Sequence, residues 1–142
     1  MNDMALQRFI DAQHGIYEVA LGEIRTGKKR THWMWFIFPQ LKGLAHSATA
    51  QFYGIRDLHE AKSYLQHPVL GKRLREITDV LNNLPNDNAH EIFGHPDDLK
   101  LHSCLTLFAE IDEATDAVFK KALTRFFNGR ADPQTLRLLY GT

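Results

Sequence analysis

Two stretches of the chain hold side chains of useful chemistry at useful spacing. The first begins with Arg25, Lys28, Lys29 and Arg30 and continues through His32-Trp33-Met34-Trp35-Phe36-Ile37-Phe38-Pro39-Gln40. A basic cluster leading into a helix start suits an anion, because free backbone N–H groups add to the side-chain charge. The same cations would also complement the C-terminal end of a preceding helix from a solvated loop. Trp33 and Trp35 are two residues apart, about 200° around a helix, so they face nearly opposite ways. One is expected in a core with Phe36 and Phe38, the other in a groove with His32 and Gln40. An indole wall beside imidazole and amide groups suits a planar ligand such as a nucleobase.

The second stretch is His95-Pro96-Asp97-Asp98-Leu99-Lys100-Leu101-His102-Ser103. Asp98 and His102 are four residues apart and share a helix face. In a pocket such a pair could do acid–base work; on a surface it is a modest structural pair. Lys100 lies closer to a perpendicular face, so this helix alone cannot form a compact triad. The candidates are therefore Asp98 and His102 for catalysis, with Lys28, Lys29, His32, Trp33, Gln40, Lys100 and Ser103 for binding a ligand.

Other chemistries find no support. The eight histidines in 142 residues are a high count, but they show no HExxH motif and no i, i+4 pair within one helix. With Cys104 the only cysteine, a Cys-based zinc site and an intramolecular disulfide are both excluded. No metal and no cofactor are expected. The phosphate-binding GxxxxGK[ST], GxGxxG and GxSxG patterns do not occur. Lys+Arg and Asp+Glu balance at 17 each, which argues against a dedicated nucleic-acid binder. The balance is segregated: residues 31–55 hold Lys42 as their one charged side chain, residues 25–30 are basic, and Glu110 to Asp116 is acidic. Overall neutrality therefore leaves room for a local anion-binding patch.

These residues need elements to hold them, and the apolar spacing is helical almost throughout. Leu6, Phe9, Ile10, Tyr17, Ala20, Leu21 and Ile24 form one stripe, with Asn2 or Asp3 to cap it and Gly27 to end it. A short helix spans His32–Phe38 and is closed by Pro39. Ser47 caps a helix through Phe52 and Tyr53, and Asp57 with Glu60 opens another in capping-box style. Pro68 suits the first turn of a helix carrying Leu70, Leu74, Ile77, Leu81 and Leu84. Asn88 to Phe93 makes a turn or two ended by Gly94. Pro96 opens the helix of Leu101, Cys104, Leu105 and Phe108, Ala114 to Phe127 makes the next, and Asp132-Pro133 caps the last. The expectation is an all-α, compact bundle of about eight helices with short turns, a single domain over residues 1–142. At 44% hydrophobic and 24% charged the composition is that of an ordinary globular protein. The N-terminus lacks the apolar core of a signal peptide, and no apolar run approaches the length of a membrane span. A cytoplasmic protein without membrane association is expected, with a monomer as the default state.

The motif His32-Trp33-Met34-Trp35-Phe36-Ile37-Phe38-Pro39-Gln40-Leu41, with Gly43-Leu44 and Ser47 after it, resembles the signature of an uncharacterised bacterial family, domain of unknown function 1810. Agreement extends over nearly the whole chain, through Gly27-Lys28-Lys29, Glu60-Ala61, His67-Pro68-Val69-Leu70-Gly71, Phe93-Gly94 and Thr106-Leu107-Phe108. The resemblance implies an all-α, single-domain cytoplasmic protein and no established activity. Some members carry the label calpastatin, a largely disordered inhibitor unlike the globule read here. Members commonly show a serine pair where this chain has Ser103-Cys104, which weakens any chemical role for the second serine. The run from Glu60 to Leu74 is also similar to a helical family that hydrolyses N-glycosidic bonds of ribose-phosphate compounds. That likeness implies a carboxylate and cations for phosphate, roles that Asp98 and Lys28 or Lys29 would fill.

The expected function is thus binding of a small anionic or nucleotide-like ligand, or of a protein partner, through a polar pocket near the His-Trp-Met-Trp motif. Hydrolysis of N-glycosidic bonds in ribose-phosphate or ADP-ribose-like compounds is one alternative. A protein-interaction module without catalysis is another.

Overall fold

A computed structural model describes residues 3–111 and 117–141. Among them are ten α-helices. The first apolar stripe is divided into α1 (Asp3–Gln13) and α2 (Tyr17–Arg25), not carried by one helix up to Gly27. The break comes at His14-Gly15-Ile16, where Gly15 takes φ +73°, a conformation glycine adopts without the clash other residues meet. The apolar spacing runs on across this turn, which is why it reads as continuous. The expected cap from Asn2 or the Asp3 side chain, and the expected helix start at Ala114, lie outside the described residues.

The tryptophan motif forms one turn, α3 (Met34–Ile37), with Trp33 as its N-cap residue. Ser47 caps α4 (Ala48–Tyr53) by accepting from Ala50 N–H at 3.1 Å. Asp57 caps α5 (Leu58–Gln66) through Glu60 N–H at 2.9 Å. Helix α6 (Leu70–Asn82) begins two residues after Pro68. Asn88 caps α7 (Ala89–Phe93), which ends at Gly94 with φ +75°. After α8 (Asp97–Ala109) and α9 (Val118–Phe127), Asp132 caps α10 (Pro133–Tyr140) with Pro133 at the first position. Each cap satisfies an N–H group that the helix itself leaves unpaired.

Helix α8 is the axis of the bundle. From Leu101 to Ala109 every residue except His102 is buried, the pattern of a helix packed on all sides. It packs against α5, α7, α9 and α10. Near its C-terminal end, the fully buried Phe108 lies 5.6 Å from the Tyr64 ring and 5.7 Å from the Phe119 ring. Each such side chain contributes about 1.5–3 kcal/mol by leaving water. Cys104 is fully buried on this helix, and burial pushes its thiol well above the ordinary range.

Two polar clusters fix α1 against this core and its neighbours. Gln13 donates to Phe36 C=O at 2.8 Å and to the Tyr64 hydroxyl at 3.1 Å, and accepts from Arg73 at 3.1 Å. Arg8 reaches Glu60 at 3.3 Å and donates to Phe52 C=O and Gly54 C=O, tying α1 to the turn between α4 and α5. Beside that turn, Leu41 and Ile55 form a parallel bridge, with Lys42 N–H donating to Ile55 C=O at 2.7 Å. A side chain on Gly54 would stand 2.7 Å from Lys42 Cα, so the close approach requires glycine.

Candidate functional site

The loop from α2 to α3 is organised by one carboxylate. Glu23 Oε1 accepts from Arg30 N–H at 2.8 Å, Thr31 N–H at 3.1 Å and the Trp33 indole N–H at 2.9 Å. Its Oε2 accepts from the Thr31 hydroxyl at 2.6 Å. Burial acts to raise the Glu23 pKa, but the hydrogen bonds from Thr31, Arg30 and Trp33 outweigh it and hold the group at about 2. A carboxylate with several N–H partners strongly prefers its charged form. The anchored indole of Trp33 is 1% exposed and packs on Phe38, whose ring lies 5.7 Å from Phe93. Lys29 N–H donates to Ile92 C=O at 2.8 Å, pinning the same loop to α7.

This arrangement turns Lys29 inward, whereas Arg25, Lys28 and Arg30 face solvent. Lys29 Nζ lies 2.7 Å from Asp97 Oδ2, donates to Thr31 C=O at 2.6 Å, and sits 5.0 Å from the Trp33 ring centre. Lys100 approaches the other oxygen of the carboxylate, 3.3 Å from Asp97 Oδ1, and lies 4.9 Å from the Trp35 ring centre. Two lysines, each over an indole, therefore hold one aspartate between them. Cation–π contacts of this kind stabilise the ammonium groups while leaving them able to meet an anion. The two lysines differ in access: the Lys29 side chain is 6% exposed and that of Lys100 is 25% exposed.

These groups border a cavity of about 330 Å³ between the motif turn, the start of α4 and the first turn of α8. Its apolar wall includes Trp33, Trp35 and Phe36, and Ser47 and Thr49 add hydroxyls from the α4 side. His32 completes the rim. Both tryptophans line the cavity because helix geometry starts only at Met34. Trp33, at φ −147°, is free of the 200° relation expected for two helical positions. Trp33 is the buried one and Trp35 is half-exposed.

Of the residues singled out by sequence, the cavity brings together Lys29, His32, Trp33 and Lys100. Lys28 is exposed on the loop. Gln40 is 3% exposed and its side-chain nitrogen has no hydrogen-bond partner, while its backbone carbonyl accepts from Ile55 N–H at 2.8 Å. Asp98 points to the other side of the α8 start, with His90 Nδ1 at 3.4 Å and His95 Nδ1 at 3.3 Å, and borders a separate hollow. His102 bonds Arg130 C=O through Nε2 at 2.7 Å and stacks on Phe127 at 4.1 Å, not on Asp98. Ser103 donates to Leu99 C=O at 3.2 Å and lies 3.3 Å from Asp132 Oδ2. Among the described residues no group of three or more His, Cys, Asp or Glu is placed to hold a metal.

Sequence reasoning did not pick Asp97, Trp35, Ser47 or Thr49 for the cavity. A usable signal existed for Asp97, since Lys100 is three residues on and Lys29 leads the aromatic motif. Adjacent residues on a helix point about 100° apart, so the choice between Asp97 and Asp98 depends on where the Lys29 loop lands.

The sequence matches the family model described as protein of unknown function (DUF1810) over residues 3–139. None of the curated proteins matches it. Among solved structures, the chain is similar to the conserved hypothetical protein Rv1873 from Mycobacterium tuberculosis. The two are 45% identical, with a TM-score of 0.94, over 99% of this chain and 100% of the other.

Proposed function

The chain belongs to the DUF1810 family, whose description assigns no activity, and from its own side chains we propose that the cavity between α3, α4 and α8 binds a small, planar, anionic ligand of the nucleotide-like kind. The observation that carries this reading is Lys100, a partly exposed ammonium held over the half-exposed Trp35 ring at the mouth of the cavity. A flat ring gains area and stacking on an indole face, and an adjacent ammonium gives charge-assisted hydrogen bonds to its acidic group. The volume of about 330 Å³ falls at the small end of ligand pockets. The hydroxyls of Ser47 and Thr49 offer donors and acceptors opposite the lysines.

The test is titration of the protein with nucleotides and aromatic acids, followed by tryptophan fluorescence and calorimetry. Saturable quenching in the wild type, lost in Trp35→Ala and weakened at least tenfold in Lys100→Ala, supports the reading. Absence of saturable binding across both compound classes removes it.

One observation favours hydrolysis of an N-glycosidic bond as a second reading. The Asp97 carboxylate stands in the cavity wall, where it could face a sugar carbon that develops positive charge. Incubation with nucleotides and ADP-ribose, followed by mass spectrometry, tests this. Release of a free base by the wild type and by Asp98→Asn, but not by Asp97→Asn, is the expected pattern. Saturable binding without product would leave ligand binding as the function. The buried thiol of Cys104 fits a reducing, cytoplasmic setting for either activity. Among the described residues no helix is long and apolar enough to cross a membrane.

A further inference from the structure

We infer that the occupant of the cavity carries one negative charge and not two. This rests on the reading of the cavity as a small-anion site and adds the charge class of its ligand. Apart from the His32 imidazole, the cavity is lined by three charged side chains, Lys29, Lys100 and Asp97. They sum to a single positive charge.

The two cations are not equivalent. Lys29 gives hydrogen bonds to Asp97 at 2.7 Å and Thr31 C=O at 2.6 Å, and its side chain is 6% exposed. Its charge is committed to the wall. Lys100 holds Asp97 by a longer contact of 3.3 Å and keeps a quarter of its side chain in solvent. An entering anion therefore takes Lys100 as its partner, while the Lys29–Asp97 pair stays in place. The first negative charge brings the cavity to neutrality. A second one meets no net positive charge, stands near the Asp97 carboxylate, and loses hydration without compensation. Asp97 thus acts as a built-in counter-ion that selects by charge, and the Trp35 face selects for a flat ring.

Aromatic monocarboxylates and cyclic phosphodiester nucleotides share this chemistry. Two matched pairs distinguish them and test the charge rule. Nicotinate and pyridine-2,3-dicarboxylate share a ring and differ by one charge, as do 3′,5′-cyclic AMP and AMP at pH 8, where a phosphate monoester is doubly charged. The expected result is that in at least one pair the singly charged member binds the wild type roughly tenfold tighter. Asp97→Asn leaves both lysines uncompensated and should erase or reverse that preference. Lys100→Met should weaken the singly charged ligand at least tenfold with an unchanged thermal unfolding midpoint, a readout that does not depend on how well the Asp97 variant folds. Tighter binding of the doubly charged member to the wild type overturns the charge rule and leaves the anion site standing. Equal binding to wild type and Lys100→Met also overturns it. Failure of all four compounds to bind removes the site and the rule together.

Discussion

Replacing Glu23 with glutamine separates charge from geometry in the loop that carries Lys29, His32 and Trp33. The glutamine carbonyl can keep the three N–H donors that converge on Oε1, and its amide can donate to the Thr31 hydroxyl, which rotates to accept. What is lost is the negative charge. Holding the carboxyl at about 2 instead of its ordinary 4.5 corresponds to about 3 kcal/mol at neutral pH. The loop lies at the surface, and solvent screening reduces this to roughly 1.5 kcal/mol. Because the folded-state pKa is lowered, the contribution is complete above about pH 4.5 and disappears as pH falls toward 2. Urea unfolding at pH 7, followed by far-UV circular dichroism, should therefore show Glu23→Gln less stable by about that amount. The gap should close progressively between pH 4.5 and 2. Glu23→Ala should cost more, roughly 3 kcal/mol, since the buried Trp33 N–H then has no partner. Equal stability of wild type and Glu23→Gln at pH 7, or a gap that does not narrow in acid, would refute the assignment of the loop to this carboxylate.

Other outcomes follow from packing and ionisation. A methyl group on Gly71 would stand 2.0 Å from Leu65 C=O where α6 leaves α5; Gly71→Ala should lower stability by about 3 kcal/mol or prevent folding, read from the urea midpoint. Glu60 is 4% exposed and pairs with Arg8, so Arg8→Ala should cost roughly 3–5 kcal/mol by leaving a buried charge unpaired. The double variant with Glu60→Gln should recover part of that loss. Burial raises Tyr17, aided by its hydrogen bond to Glu76 at 2.5 Å, and burial likewise raises Tyr64 against the opposing bond from Gln13. Raised folded-state values mean stability is complete below pH 10 and declines as pH rises above it. Absorbance at 295 nm should show two of the four tyrosines titrating only with unfolding, and Tyr17→Phe should flatten the alkaline loss.

How much of this could be read from the chain depends on the range of the interaction concerned. The caps of Ser47, Asp57, Asn88 and Asp132 act on N–H groups a few residues away, so residue type at a local spacing identifies them. The turn at Gly15 is hidden because apolar residues keep helical spacing on both sides of it. The burial of Trp33 and the half-exposure of Trp35 are non-local: Glu23 fixes the first, and Lys100 covers the second from a helix more than sixty residues later. Lys29, His32 and Lys100 are legible as chemistry-bearing residues near the cavity, since charge and aromatic content flag them. Asp97 becomes part of the same wall only through tertiary contact with Lys29, a pairing that no local pattern contains.

Helix α8 joins two very different environments along thirteen residues. Beyond Leu101 it is almost wholly enclosed, whereas Asp97 and Lys100 sit on a first turn that reaches out of the core beside the exposed Leu99. Substitution at Lys100, a quarter of whose side chain lies in solvent, leaves the interlocked shaft behind it in place, whereas Asp97 also holds the buried Lys29. The scaffold therefore resembles a tool handle with an exchangeable bit. Changing position 100 alone should refit the cavity for neutral rings at little cost to folding, while a change at 97 calls for a matching change at Lys29, whose ammonium would otherwise lie buried without a counter-charge.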